Sequence, residues 1–332
     1  MSFIDEMKKK ANTSKKTIVL PEATDVRVIE AASIIGKEGF ANIILLGNEE
    51  EIRTLANKNG FDISYASMIN PIHSEKYNEY VDAFYELRKL KGIDYNKAKE
   101  ILKDPVYFGM MMVKQGDADG LVSGAIHSTA DTLRPALQIL KTAPNTKLVS
   151  AFFLMVVPDC KYGEDGTFVF SDCGLNPDPN AEELSEIAIS SAKSFEQLTG
   201  KKSKVAMLSF STYGSAKSES TEKVIQATNL VKEKMPELLI DGELQLDAAI
   251  IPEVAKSKAP ESNVAGKANT LIFPNLDAGN IGYKLTQRLA KAEAYGPLCQ
   301  GIAKQVNDLS RGCCASDIVG VVAITCVQAQ MM

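Results

Sequence analysis

Histidine, paired cysteine motifs and long apolar runs are scarce or absent in this 332-residue chain, and each shortage excludes a class of function. With only His73 and His127, and no Gly-x-Ser-x-Gly, a Ser-His-Asp hydrolase is not expected. The six cysteines (Cys160, Cys173, Cys299, Cys313, Cys314 and Cys326) form no Cys-x-x-Cys pair, so no metal site is expected. They are expected to be reduced thiols, mostly small core residues. No apolar run approaches the ~20 residues that span a bilayer, which argues against a membrane partner. The first ten residues have no apolar stretch after their lysines and read as a short amphipathic helix rather than a secretory signal. A cytoplasmic location is the expectation. The net charge of −5 offers no global attraction to nucleic acid, so an anionic ligand must be held by a local cluster of donors.

Two phosphate-binding motifs are also missing. The first strand is followed by Pro21-Glu22-Ala23-Thr24-Asp25 rather than Gly-x-Gly-x-x-Gly, so the dinucleotide fingerprint is absent. Gly266-Lys267-Ala268 lacks the upstream Gly and the following Ser or Thr of a P-loop.

What is present is an α/β pattern. Thr17 to Leu20, Asn42 to Gly47 and Gly120 to Gly124 read as strands, with helices from Asp25 to Lys37, Glu49 to Asn57, Pro105 to Lys114 and Thr129 to Leu140. Two more helices, broken near Gly92, fill His73 to Asp104. The second half adds an apolar run from Leu148 to Val157 that pairs as a hairpin with Phe168-Val169-Phe170. Strands at Val205 to Ser209 and Thr270 to Phe273 follow, with helices from Glu182 to Leu198, Thr221 to Lys234, Asn280 to Ala290 and Ser316 to Gln330. Strand and helix in alternation predict mostly parallel sheets covered on both faces. The length exceeds what one core supports, which predicts two domains, with a break near Thr142-Ala143-Pro144-Asn145.

The strongest local candidate runs from Asn307-Asp308-Leu309-Ser310-Arg311-Gly312 into a helix whose start is marked by Ser316 or Asp317. A helix N-terminus offers unpaired N–H groups to an anion, Ser310 adds a hydroxyl, and Arg311 adds a fork that fits phosphate oxygens. Ser316 and Asp317 also read simply as helix caps. Arginine is scarce, six against 31 lysines, which singles Arg311 out. A second candidate is Gly124 to Pro135, where Ser128, Thr129 and the following amides could hold a phosphate, or where Ser128 only caps the helix. His127 reads as a polar loop residue and Arg88 as part of a solvated basic face. Ser209 to Lys217, Asn275 to Asn280 and the acidic turn Asp241-Gly242-Glu243 are further loops at strand ends.

Together these segments resemble the phosphate acetyl/butyryltransferase family, and its acetyl-transferring members most closely. The resemblance is carried by Leu20-Pro21-Glu22-Ala23, Gly124 to Pro135, Ser209 to Lys217, Asp241 to Gln245, Asn275 to Gly282 and Asn307 to Asp317, and it covers essentially the whole chain. It implies two three-layer α/β domains with an active-site cleft between them. The first comprises residues 1–143 completed by 299–332, the second residues 144–298. It implies reversible transfer, acetyl-CoA + phosphate ⇌ CoA + acetyl phosphate, with coenzyme A as a substrate, no permanently bound cofactor, and a homodimer. The catalytic residues it implies are Ser310, Arg311 and Asp317, with Arg88 and Arg134 assisting CoA binding.

Those roles are chemically coherent. A thiol attacks as thiolate, and a carboxylate such as Asp317 can take its proton. Ser310 can donate to the attacked carbonyl, and Arg311 can hold the phosphate as it leaves. A cysteine nucleophile, Cys313 or Cys314, is the rival mechanism. Other readings are a butyryl or other short-chain acyl specificity, a decarboxylating dehydrogenase, and a non-catalytic binding domain.

Overall fold

Short polar side chains start most of the helices. Asp25, Asn48, Asp104 and Ser128 each accept a hydrogen bond from a backbone N–H two or three residues ahead, as do Asn180, Ser218 and Asn275 further on. Gly39, Gly60, Gly116 and Gly200 close helices in the left-handed conformation, with φ of 70°, 71°, 87° and 70°. The computed structural model describes residues 2–144 and 146–331; Asn145, the last residue of the expected break, lies outside them.

The chain forms two compact units, Met1–Pro144 with Ile302–Met332, and Asn145–Gly301. The first unit opens with α1 (Phe3–Thr13), β1 (Thr17–Leu20), α2 (Val26–Glu38), β2 (Asn42–Leu46), α3 (Glu49–Asn59) and β3 (Ser67–Ile69). It continues through α4 (Tyr77–Arg88), α5 (Tyr95–Ile101), α6 (Pro105–Gln115), β4 (Gly120–Ser123) and α7 (Thr129–Ile139). The second unit contains β5 (Ser150–Val156), β6 (Thr167–Ser171), α8 (Ala181–Thr199), β7 (Val205–Leu208), α9 (Glu219–Lys234) and β8 (Ile240–Leu244). It ends with α10 (Leu246–Ile250), α11 (Pro252–Lys258), β9 (Thr270–Ile272), α12 (Leu276–Leu289) and β10 (Glu293–Gln300). The chain then supplies the first unit with β11 (Gln305–Asp308) and α13 (Ala315–Gln330).

Both units are three-layered. The first sheet is all parallel, in the order β11-β4-β1-β2-β3. A Cβ at Gly109 on α6 would strike Val19 and Leu121, whereas one at Gly120 would strike Thr325 on α13 and Ile18. Ile18 and Val19 point to opposite faces of the strand, so α6 and α13 cover opposite faces of the sheet. In the second unit, of order β10-β5-β6-β9-β7-β8, β10, β5 and β6 are antiparallel neighbours and the other pairs are parallel. Val205 and Met207 pack under α8 and α9, while Ala206 and Leu208 join Phe153, Leu271 and Tyr283 on the other side. The α/β class with mostly parallel sheets is as the alternation of elements indicates.

Four strands differ from the sequence reading. Asp241-Gly242-Glu243, expected as an acidic turn, lies inside β8, because its carboxylates have partners: Asp241 accepts from Tyr213, Ser262 and Lys232, and Glu243 from Ser211 and Gly214. β10 carries Gly296-Pro297 at the point where its register shifts, and as an edge strand it tolerates the proline. β3 is three residues long, too short to give a period. Asn307 and Asp308 end β11 rather than begin a loop. Asn275 to Asn280, expected as a loop, is the cap and first turn of α12.

Candidate active site

Parallel strands deliver their C-terminal ends to one edge, and β1, β4 and β11 are adjacent there. Just beyond β1, Glu22 is buried and turned into the loop that follows β4. Its Oε2 accepts the N–H groups of Gly124 and Ala125, both at 2.9 Å. Its Oε1 accepts those of Ile126 at 2.9 Å and His127 at 2.8 Å, and lies 2.8 Å from His127 Nδ1. Four consecutive amides thus converge on one carboxylate, which fixes the approach to α7. The loop begins at Gly124, with φ of +116°, where a Cβ would stand 2.3 Å from Asp308 Oδ1 and 2.5 Å from Leu309 N. Only glycine lets β4 and β11 end this close together.

Arg27, in the first turn of α2, ties this loop to the one after β11. Its Nη1 donates to the carbonyls of Arg311 at 2.8 Å and Cys313 at 2.9 Å, and its Nη2 to that of Ala125 at 2.8 Å. Asp25 takes the remaining donors, Nε at 2.9 Å and Nη2 at 2.6 Å. All five N–H groups of the guanidinium have acceptors. The hydrogen bonds to Asp25, with its charge, hold the Arg27 pKa above its ordinary value.

Gripped by its carbonyls, the loop keeps its side chains available. Ser310 is exposed; its Oγ accepts from Gly312 N at 3.3 Å, which leaves its own proton to donate. The Arg311 side chain is exposed and makes no hydrogen bond among the described residues. Helix α13 is capped by Cys314, not by Ser316 or Asp317. Asp317 is the third residue of the helix, half-buried, and its Oδ2 accepts Cys314 N–H at 2.9 Å and the Cys314 thiol at 3.1 Å. Its Oδ1 has no hydrogen-bond partner among the described residues.

The second cluster is also placed. Ser128 is the N-cap of α7: its hydroxyl donates to Asp131 Oδ2 at 2.6 Å and accepts Asp131 N–H at 3.3 Å. The Thr129 hydroxyl donates to Asp308 Oδ2 at 2.6 Å. Both protons are committed, so what these residues offer an anion is backbone amides. Arg88 ends α4, half-buried rather than on a fully solvated face, and Arg134 is exposed on α7. Both arginines act on Tyr107 of α6 and favour its ionised form, against burial, which raises its pKa. They therefore share one neighbourhood. Among the described residues no group of three or more His, Cys, Asp or Glu is arranged to hold a metal.

Glu22 and Arg27 were not singled out by sequence reasoning, which read Asp308 only as part of the loop and Cys314 only as a rival nucleophile. Arg27 was findable by the scarcity that singled out Arg311; nothing local in the sequence announces the partners of Glu22 or Asp308.

Residues 2–326 match the family described as phosphate acetyl/butaryl transferase. The phosphate acetyltransferase of Acetivibrio thermocellus is 65% identical over 330 residues, covering 99% of each chain. That of Thermoanaerobacterium thermosaccharolyticum is 60% identical, covering 99% of this chain and all of its own. A phosphotransacetylase structure from Streptococcus pyogenes superposes with a TM-score of 0.93 at 46% identity, over the full length of both chains.

Asp308 carries a stability consequence. Burial, with a smaller push from the Glu22 charge, moves its carboxyl up to about 6 against the Thr129 hydrogen bond. A carboxyl raised this way binds more protons folded than unfolded between pH of about 4 and 6, so stability falls as pH rises through that window. The full loss is about 3 kcal/mol. Asp308→Asn should therefore be more stable than wild type at pH 7.5, by about 1–3 kcal/mol in urea denaturation, with the gain vanishing near pH 4. Lower stability of the variant at pH 7.5 contradicts this.

Proposed function

We propose, from the premise that this chain belongs to the phosphate acetyl/butaryl transferase family and is a phosphate acetyltransferase, that it moves the acetyl group directly between its two substrates within a ternary complex. The reaction is acetyl-CoA + phosphate ⇌ CoA + acetyl phosphate, with orthophosphate and coenzyme A as substrates. The observation that carries the assignment of residues is the Arg27 grip on the carbonyls of Arg311 and Cys313, which holds the loop by its backbone.

In the direction of acetyl-CoA synthesis, the CoA sulfur attacks the carbonyl carbon of acetyl phosphate and its proton passes to Asp317 Oδ1. Asp317 suits this because Cys314 already occupies its other oxygen and fixes its orientation. As the carbonyl carbon becomes tetrahedral, Ser310 donates its uncommitted proton to the developing oxyanion; losing one such donor costs about 3 kcal/mol in other enzymes. The C–O bond to phosphate then breaks, and the phosphate leaves with the bonding electrons, neutralised by Arg311. The amides of the first turn of α7 complement the same charge. Arg88 and Arg134, sharing the Tyr107 neighbourhood, are assigned to the CoA phosphates. No acyl-enzyme is required. Cys313 is a poor nucleophile, since burial pushes its thiol up to about 11.

Two further properties belong to the same reading. The protein acts in the cytoplasm, in keeping with a chain in which no described helix is long and apolar enough to cross a membrane. It acts as a homodimer, for which α12 supplies an apolar stripe: Ile281, Leu285 and Leu289, spaced four apart, are 58%, 54% and 79% exposed.

Acetyl phosphate and CoA supplied to the purified protein should consume thiol, and Asp317→Asn should lower kcat by at least about a hundredfold while leaving CoA affinity within about threefold. Near-full turnover by Asp317→Asn removes it as the base. Light scattering should give twice the chain mass for the wild type and the single chain mass for Leu285→Glu/Leu289→Glu; a monomeric wild type ends the dimer assignment.

A further inference from the structure

Four buried side-chain polar atoms among the described residues lack a hydrogen-bond partner, and three of them meet at one place: Asp308 Oδ1, Ser123 Oγ and Thr132 Oγ1. Ser123 is paired with Asp308 across β4 and β11, and Thr132 stands three residues beyond Thr129, on the same side of α7. The Thr132 hydroxyl is near enough to favour the ionised Asp308 without reaching hydrogen-bond geometry. Asp308 itself is wholly buried. A native fold keeps few groups in this condition, and each calls for an explanation beyond packing.

An asparagine would serve the fold better at this position. Its oxygen would still accept the Thr129 hydroxyl, and its NH2 could donate to the oxygens of Ser123 and Thr132. A carboxylate does one thing that an amide does not. Having no proton to give, it compels Thr129 to point its own proton inward, at 2.6 Å, and so holds the threonine in a single arrangement. Thr129 is the first residue of α7, and Asp308 is the last residue of β11, two before Ser310.

We propose that Asp308 is a positioning residue for acetyl transfer. By taking the Thr129 hydrogen bond, it pins the first turn of α7 to the strand end that leads into Ser310 and Arg311. It acts through Thr129 and touches no substrate. The consequence is a fixed spacing between the groups that hold the phosphate and the hydroxyl that receives the carbonyl charge. Catalysis of this kind is sensitive to such spacing, since a displacement of about 1 Å costs on the order of a hundredfold in rate. The inference rests on the reading of Ser310, Arg311 and Asp317 as the catalytic group.

The test uses the full chain and four variants, Asp308→Asn, Thr129→Val, their combination and Thr129→Ser, assayed for acetyl transfer and for urea denaturation at one pH. Asp308→Asn and Thr129→Val should each lower kcat by about 10- to 100-fold, with the KM for CoA moving less than about threefold. The combined variant should be no slower than the worse single one, because Thr129→Val removes the contact through which Asp308 acts, leaving the asparagine nothing further to loosen. Thr129→Ser, which keeps the hydroxyl, should retain at least about a third of the wild-type rate. Asp308→Asn should keep or raise its urea midpoint, which separates lost positioning from lost fold. A kcat for Asp308→Asn within about twofold of wild type overturns the proposal, as do multiplying losses in the combined variant. A lowered midpoint that accounts for the lost rate also overturns it, by making the role merely structural. Ser310→Ala and Asp317→Asn serve as reference. If they abolish transfer while Asp308→Asn does not, this proposal fails alone, whereas a wild type that transfers no acetyl group ends the functional reading and this one with it.

Discussion

The carboxylate of Glu22, turned into four consecutive backbone N–H groups, is the contact on which the candidate active site depends. A loop leaving a buried strand has amides that must be paired, and here one acidic side chain pairs all of them. The loop from Gly124 to His127 therefore has one shape, and α7 starts from one place. Arg27 extends the constraint to the second loop, with Ala125 on one side of its guanidinium and Arg311 and Cys313 on the other. Each member grips backbone, so the side chains of Ser310 and Arg311 are left for chemistry. The order runs from a residue after β1, through an arginine on α2, to a loop almost three hundred residues later, all within one unit.

The second unit uses the same device. Asp172, buried at the end of β6, accepts the N–H groups of Ala151 at 3.1 Å, Gly174 at 2.8 Å and Leu175 at 2.9 Å, and the Asn176 amide at 2.6 Å. Burial raises its pKa while these donors oppose the rise. Glu243, buried in β8, takes Ser211 Oγ and Gly214 N, both at 2.8 Å. Three strand ends thus carry an acidic residue that would be costly inside a protein were its oxygens not surrounded by donors. Asp308 is the exception, with one oxygen satisfied and one not, and it stands nearest to the proposed chemistry.

The α/β class was legible because strands and helices have different periods, and the hairpin of β5 and β6 because two apolar runs flank a polar turn. The cap at Ser128 was legible for the same local reason. What failed were places where a distant partner rewrites a local preference. Asp241 and Glu243 read as a turn since nothing nearby in sequence shows Tyr213, Ser262 and Ser211 waiting for them. Asn307 and Asp308 read as loop for the same reason, although Asn307 donates to Thr325 and Gln328 on α13. In the candidate site, Ser310 and Arg311 stood out by residue type, but the hydroxyls of Ser128 and Thr129 proved committed to Asp131 and Asp308. A residue that acts through backbone, as Glu22 does, leaves no pattern of its partners in a single sequence.

The central claim is that the Glu22 carboxylate orders the loop that places the site. Amide hydrogen exchange at Gly124 to His127, measured in the wild type and in Glu22→Gln alongside acetyl transfer, tests it most directly. An amide NH2 cannot accept, so two of the four donors lose their partner in the variant. Exchange at these amides should accelerate by at least about tenfold, with turnover falling in parallel. Amides that stay protected in Glu22→Gln, or that open while turnover is unchanged, would contradict the account.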